Sequence, residues 1–561
     1  MSQVADTTPQ PEPARQTFME RMLDGVEKVG NKVPHPVLMF LYLIGFIIIL
    51  SAILDLTNVT VTESIAEPVP VEVVPNYYED TTQGQLELLG ESNQYWEHAE
   101  FEIHEVTVGV HSLLTIEGIR FIFSSFVANF QGFGVIAVTF IAMMGAGAAE
   151  GAGMMDAIIR KLVKSAPASM ITFLIVLVGA LSSVASDAGY LILIPLAAVA
   201  FYTLGRHPLA GMAAGFAGVA ATFAVNVIIQ PTDAMITEIA NEAIGMTGGE
   251  PLTVVNNYYF GVVSMLVLCI VATIITERLI EPRLGPWDRS MAPETDGETV
   301  AEQTEEEQAA EAKGLRYALY GFLAVLAIVI LITAPPGAPL RDPATGNIIG
   351  NTPFMDSLLF IIALFFLVSG VAFGIGAGTV TSADEVIASI TKTFNSLGGL
   401  VFMLLMIAQF IAYFNFTNMP RVAAIGLSDL LERAGLGALP LLVGFIIVIF
   451  LLDFIIPGVV PKWAIFAPVF IPIFDRLGIA PQTLLAAYRI GDSPVNTLTP
   501  LMVYFPFIVV TAQRYRKDAG IGTVISLMLP YAAIMGIVWI LLFVVWYLAG
   551  IPLGPGYPVE F

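Results

Sequence analysis

Residues 488–500 read Tyr-Arg-Ile-Gly-Asp-Ser-Pro-Val-Asn-Thr-Leu-Thr-Pro, inside an otherwise apolar stretch that runs from 481 to 510. Pro494 has no amide hydrogen and clashes with the carbonyl of Ile490, so a regular helix is disturbed at this point. Carbonyls freed by such a break can hold a cation, and freed amides can hold an anion. Arg489, Asp492, Asn496 and Thr499 follow i, i+3, i+7, i+10 and share one face of a helix. Ionisable groups are costly within a membrane and mark a path or an ion site. The plainer alternative is an Arg489–Asp492 pair that only locks its own helix.

Three further places carry candidate chemistry. Asp187 stands in Ser182-Ser183-Val184-Ala185-Ser186-Asp187-Ala188-Gly189-Tyr190, where small residues permit a tight turn. It is either a carboxylate that meets substrate or coupling ion, or a cap for the half-helix that follows. Trp463 stands in Pro457-Gly458-Val459-Val460-Pro461-Lys462-Trp463. Its ring is suited to stacking on a flat substrate, or to a place at the lipid interface. Asn226, with Gln230-Pro231-Thr232-Asp233, is a weaker polar candidate, and Gly211, Gly215 and Gly218 suit close helix packing.

The elements that must position these groups are membrane helices. The 561 residues are 56% hydrophobic and 13% charged, about half the charge of an ordinary soluble domain. Apolar stretches near twenty residues recur, each long enough to cross a bilayer as a helix, and no barrel-like alternation is present. Spans are expected at 36–54, 116–149 (in two pieces around Gln131-Gly132), 208–230, 258–276, 317–334, 354–378, 396–416, 481–510 and 524–549. Two further apolar stretches, 168–204 and 439–475, are interrupted by polar residues and prolines and read as re-entrant hairpins. The expected fold is therefore an all-α polytopic membrane protein with nine transmembrane helices and two hairpins. Between Lys32 and Arg120 there is no Lys or Arg, which puts 55–115 outside and the 1–34 tail in the cytoplasm. Lys and Arg likewise place the loop 277–316 inside, although Arg341, Arg421, Arg433 and Arg476 run against this arrangement. The domain plan is the tail 1–34, the first helix 35–54, an extracytoplasmic acidic loop 55–115, a first membrane half 116–276, the loop 277–316, a second half 317–549 and a C-terminal tail 550–561. The eight acids of Glu294 to Glu311 read as a solvated loop.

One constant shift along the chain matches the two halves without a gap, from 156–218 onto 429–491. It carries Asp156 and Arg160 onto Asp429 and Arg433, and Tyr190 onto Trp463. Pro195, Phe201, Gly205 and Pro208 fall on Pro468, Phe474, Gly478 and Pro481, and Gly218 falls on Gly491. With the topology above, the first hairpin enters from inside and the second from outside. Inverted repeats with broken helices belong to secondary transporters, whose sites lie where the repeats meet.

Other classes fit poorly. A net charge of −23 opposes nucleic-acid binding. The single Cys269 permits no disulfide within the chain, and His98, His104 and His111 have no zinc spacing. There is no Gly-x4-Gly-Lys-Ser/Thr for ATP, and no nucleophile constellation for an intramembrane enzyme. An ion gradient of H⁺ or Na⁺ is the expected energy source, with no bound cofactor and with Asp187 or Asp492 as the carboxylate that meets the ion.

Three motifs resemble the AbgT family of p-aminobenzoyl-glutamate transporters: Ser-Asp-Ala-Gly-Tyr at 186–190, Pro-Lys-Trp at 461–463, and Tyr-Arg-x-Gly-Asp-Ser-x-x-Asn-x-x-x-Pro-Leu at 488–501. The resemblance implies bowl-shaped homodimers with nine spans and two hairpins per protomer, in a bacterial inner membrane. It implies transport of p-aminobenzoyl-glutamate and export of sulfonamides that mimic p-aminobenzoate. It implies a path lined by Asp187, Trp463, Pro481, Arg489, Asp492 and Pro500. The loop 55–115 is longer than the resemblance leads one to expect. An aromatic carboxylate suits the residues, because Arg489 can pair a carboxylate bidentately and Trp463 can stack on a ring. A transporter of another small organic anion, such as a dicarboxylate, is the alternative on the same architecture.

Overall fold

The computed structural model describes residues 36–68, 101–164, 167–183, 189–288, 304–349, 352–433, 437–454, 456 and 458–560. In chain order, α1 (Pro36–Leu56) is followed by β1 (Thr60–Pro68) and β2 (Phe101–Gly109), then α2 (Ile116–Ser124), α3 (Phe126–Gln131), α4 (Val135–Gly151) and α5 (Met154–Lys164). The first hairpin is α6 (Ile171–Ser182) and α7 (Ile194–Thr203), the latter preceded by a π turn at Gly189–Leu193. Then come α8 (Pro208–Phe216), which widens into a π turn at Ala217–Ala221, α9 (Pro231–Ile244) and α10 (Tyr258–Ile275). The second half holds α11 (Glu305–Thr333), α12 (Pro353–Ala377), α13 (Ala383–Ser396), α14 (Gly398–Phe416) and α15 (Met419–Arg433). The second hairpin is α16 (Ala438–Leu452) and α17 (Val459–Arg476), and α18 (Pro481–Asp492), α19 (Phe505–Gln513) and α20 (Ile521–Leu548) complete the chain.

Among the described residues seven helices are long and apolar enough to cross a membrane. The remaining two of the nine expected spans are the broken ones, α8–α9 and α18–α19. Each restarts on a proline at its first turn, Pro231 and Pro506, where the missing amide costs nothing. The fold is all-α and polytopic, as expected, with one small exception. β1 and β2 pair antiparallel, Thr60 against Gly109 through Pro68 against Phe101, within the stretch read above as an acidic loop. This ribbon is tied to the α14–α15 turn, where the His111 amide donates to the Thr417 carbonyl at 2.9 Å.

Three expectations need correction. The span at 208–230 stops being helical after Ala221, and 231–244, not assigned above, is a helix of its own. Helix α10 continues past 276 to Leu284 through a π turn. The acidic run is not all loop: Glu305, Glu306 and Glu307 form the first turn of α11. Thr304 caps that turn in reciprocal hydrogen bonds with Glu307, and carboxylates complement a helix N-terminus. Farther on, Glu311 pairs with Arg160 at 2.5 Å.

The repeat recurs in three dimensions. A Cβ placed on Gly218 would lie 2.7 Å from the Val176 carbonyl oxygen, and one on Gly491 would lie 2.6 Å from Ile449 Cβ. The shift that carries Gly218 onto Gly491 also carries Val176 onto Ile449, so the same two positions touch in each half. The inversion is visible at the ends. Trp287 packs on Tyr202, just before α8 begins, and its indole donates 3.1 Å to the carbonyl of Tyr515, just after α19 ends. Beyond the other end, the Tyr557 hydroxyl accepts from the Thr253 amide, and Leu252 is held by Asn241 of α9. The adjoining Pro558 and Val559 carbonyls accept from Gln482 and Thr483 at the start of α18. The start of one broken helix therefore lies beside the end of the other, and the two run antiparallel.

Candidate functional site

The two breaks, 222–230 and 493–504, meet in the interior. Ser493 accepts from the Ala224 amide at 3.1 Å while its hydroxyl donates to the Arg489 carbonyl. Arg489, 7% exposed, donates to the Ala224 carbonyl at 3.3 Å and forms an ion pair with Asp233 of α9. Asp233 also caps its own helix, accepting from the Gln230 amide at 2.8 Å. One guanidinium of the second repeat thus neutralises both the open backbone and the N-terminal carboxylate of the first.

Beside it lies a second ionic cluster. Lys462, with no exposed surface, is paired with Asp453 at the end of α16 and with Asp492 at 2.7 Å. Tyr488 donates to the Val459 carbonyl at 2.6 Å and lies 3.4 Å from Asp492 Oδ1. The second carboxylate oxygens of Asp453 and Asp492, and Nε of Arg489, are buried with no hydrogen-bond partner among the described residues. Two acids thus share one ammonium. Such charges are tolerated in low dielectric only when paired at this range.

Trp463 is fully buried, 4.5 Å from the ring of Tyr488, and its indole donates 2.9 Å to the Ile236 carbonyl of α9. It is neither at a lipid interface nor open for stacking in this state. Gly458, at φ 97°, starts α17 in a backbone conformation that favours glycine and brings Lys462 and Trp463 into register with α18. Asn226 donates to the Ala180 carbonyl at 2.9 Å and to Ser183 at 3.1 Å, fastening the first break to the first hairpin.

The structure brings Trp463, Arg489, Asp492 and Asn226 around the meeting of the breaks. Asn496 and Pro500 lie half-buried within the second break, and Asn496 donates back to the Asp492 carbonyl at 3.1 Å. Pro481 is buried at the first turn of α18, eight residues or roughly 12 Å of helix from Arg489. Asp187 lies outside the described residues. The shared helical face drawn above through Arg489, Asp492, Asn496 and Thr499 does not exist. Helix α18 ends at Asp492, and a 3-10 turn from Pro494 to Thr497 alters the spacing. Arg489 and Asp492 are also not each other's partners, since each pairs with a residue from another element. In the sequence, Asp233 is named only beside the weaker candidate Asn226 and Lys462 only within the Pro-Lys-Trp motif, and neither these nor Asp453 are given a role. Their signal is a charged residue within each apolar stretch, but no spacing joins them.

A cavity of about 510 Å³ opens beside the far end of α9, lined by Glu238, Asn241, Glu242, Asn415, Asn418 and Arg421 among others. Asp233, Glu238 and Glu242 lie on this one helix, so α9 connects the cavity end to the ionic clusters. Among the described residues no group of His, Cys, Asp and Glu is arranged to hold a metal ion.

Residues 21–561 match the model of the family described as "AbgT putative transporter family". The chain belongs to the AbgT transporter family. The p-aminobenzoyl-glutamate transport protein of Escherichia coli (strain K12) is 33% identical over 535 residues, covering 95% of this chain and 96% of that protein. Among solved structures, the YdaH transporter of Alcanivorax borkumensis, described as having an unusual topology, matches with TM-score 0.80 at 32% identity over 93% of this chain and all of that one. MtrF of Neisseria gonorrhoeae, placed in a class of antimetabolite efflux pumps, matches with TM-score 0.81 at 34% identity over 96% of this chain and all of its own. This AbgT-family member is therefore a multi-pass membrane transporter for a small molecule.

Proposed function

We propose that the chain is an ion-gradient-driven secondary transporter of p-aminobenzoyl-glutamate and related aromatic carboxylates, sulfonamide antimetabolites included. It has no enzymatic role in this reading, and it works in the bacterial inner membrane as a homodimer with its N-terminus in the cytoplasm, as the family resemblance implies. The observation that carries the substrate class is the buried Arg489, held between the two breaks with its Nε unpartnered. A guanidinium that holds a carboxylate through a single Nη and keeps Nε unpartnered has donors left to take a substrate carboxylate in exchange. The exchange would free Asp233 and loosen the Ala224 contact, so binding and the fit of the two repeats change together. Release of Trp463 from the Ile236 carbonyl would then expose a ring for an aromatic substrate. The 33% identity to a p-aminobenzoyl-glutamate transport protein and the likeness to an antimetabolite efflux pump support the same substrates.

The test is flux of labelled p-aminobenzoyl-glutamate in proteoliposomes under an imposed ion gradient. Saturable flux that excess sulfonamide suppresses and succinate does not is the expected result. Suppression by succinate alone would instead favour an aliphatic dicarboxylate. Asp492→Asn should lose gradient-driven flux, and unchanged flux would remove Asp492 from the coupling step.

A further inference from the structure

The ionic cluster around Lys462 bears on which ion is used, a question that rests on the transporter reading above. Its two carboxylates come from different elements, Asp453 from the end of the hairpin arm α16 and Asp492 from the end of α18. A pair of this kind, in the interior of a membrane protein and at the end of broken helices, is where a free cation would be held. Here the converging point is taken by Nζ of Lys462, in ion-pair contact with Oδ1 of both acids and wholly enclosed. Two neighbouring carbonyls that could contribute to an oxygen shell each already accept a hydrogen bond. The Val459 carbonyl accepts from Tyr488, and the Asp492 carbonyl accepts from Asn496. Among the described residues, one oxygen on each acid remains unpartnered. A second cation there would lie within a few ångströms of the ammonium, where like charges repel strongly in a low dielectric.

We propose that Lys462 is a tethered cation that occupies the position of Na⁺ between Asp453 and Asp492, and so makes the transporter sodium-independent. The first repeat agrees with a role specific to this place. The equivalents of Asp453, Lys462 and Asp492 in that repeat are Ala180, Gly189 and Val219, which carry no charge. The backbone framework thus needs no lysine, and a lysine fits only where two acids face it.

The experiment measures ²²Na⁺ binding to the purified full-length protein in detergent, beside flux into proteoliposomes with Na⁺ replaced by choline. The wild-type protein is expected to show no saturable Na⁺ binding across the physiological range and less than a twofold change in flux on replacement. Lys462→Met should bind Na⁺ saturably and melt at a higher temperature in Na⁺ than in choline. Lys462→Gln, which keeps a hydrogen-bond donor, serves if the methionine variant does not fold. Saturable Na⁺ binding by the wild type, or flux that follows an imposed Na⁺ gradient, overturns the proposal whatever the variants do. Folded variants of both kinds that gain no Na⁺ binding overturn it as well. The binding assay requires no substrate, so a failure to move any aromatic acid would count against the proposed substrates and not against this assignment.

Discussion

The two places where the repeats cross share the order of their helices and their glycine contacts but have opposite chemistry. At one, Arg489 of α18 meets Asp233 at the start of α9. Its counterpart in the first repeat is Phe216 of α8, which meets the ring of Phe505 at the start of α19, with centroids 6.3 Å apart. The hairpins show the same contrast. Lys462 contacts Asp492 in the second repeat, whereas in the first a Cβ on Gly189 would come 3.1 Å from Val219 Cγ1. Even the ties between break and hairpin correspond: Asn226 reaches the Ala180 carbonyl, and Thr499 reaches the Phe454 carbonyl at 3.4 Å. Duplication supplied two equivalent junctions, close-packed through Gly218 and Gly491. Among the described residues, these contacts are ionic at the second junction and apolar at the first.

The contrast can be broken most sharply at Arg489. Arg489→Phe makes the charged crossing resemble the apolar one and leaves the half-buried Asp233 without its partner, a loss of about 2–3 kcal/mol, below that of a fully buried broken pair. Flux in proteoliposomes is expected to fall to background. Pairing it with Asp233→Leu should recover most of the thermal stability in detergent but none of the flux. Recovery of flux would show that the ion pair is only a fastening.

The shared framework is tested by Gly218→Ala and Gly491→Ala. Each added methyl collides with the partner helix, and each is expected to cost about 1–3 kcal/mol in unfolding measurements. Losses that differ several-fold would mean that the junctions are less alike than their contacts indicate. Smaller differences are expected at the ties. Asn226→Ala removes bonds of 2.9 and 3.1 Å and should cost about 1–2 kcal/mol, while Thr499→Val removes one long bond and should cost under about 1 kcal/mol. Thermal unfolding of the two variants in parallel checks the order.

The smallest effect lies outside both junctions. In the turn between α11 and α12, the amide and hydroxyl of Thr345 hold the Asp342 carboxyl below the ordinary carboxylate range. A depressed value stabilises the folded turn above the unfolded value of about 3.9, and the contribution is lost as pH falls through the folded value. The protection of the Thr345 amide relative to its intrinsic exchange rate should therefore drop only in acid below about pH 4, with flux at neutral pH unaffected by Asp342→Asn.

What the sequence disclosed depended on whether the signal was local. Long apolar runs marked the spans, close packing was read at Gly218, and the match between the halves carries that position onto Gly491. The ion pairs were not legible, because Arg489 with Asp233 and Lys462 with Asp492 are joined by the fold and by no helical spacing. Reading along one helix offered Arg489 to Asp492, the nearest opposite charge, and Pro494 then ended the face on which they were drawn. Helix α9 escaped notice because Thr232, Asp233, Thr237, Glu238, Asn241 and Glu242 lower its hydropathy, as they must for a helix that borders a cavity. The β ribbon was hidden by its acids, although the alternation Phe101-Glu102-Ile103-His104 is a strand signature.

The C-terminal strap has a practical consequence. Residues 553–560 grip Thr253 and Phe260 of one half through Tyr557 and Leu553, and Gln482 and Thr483 of the other through Pro558 and Val559. A spin label or small fluorophore at Glu560, referenced to a second probe at Gly248, would span the joint between the halves. That pair would convert any rocking of one half against the other into a distance that spectroscopy can follow in real time.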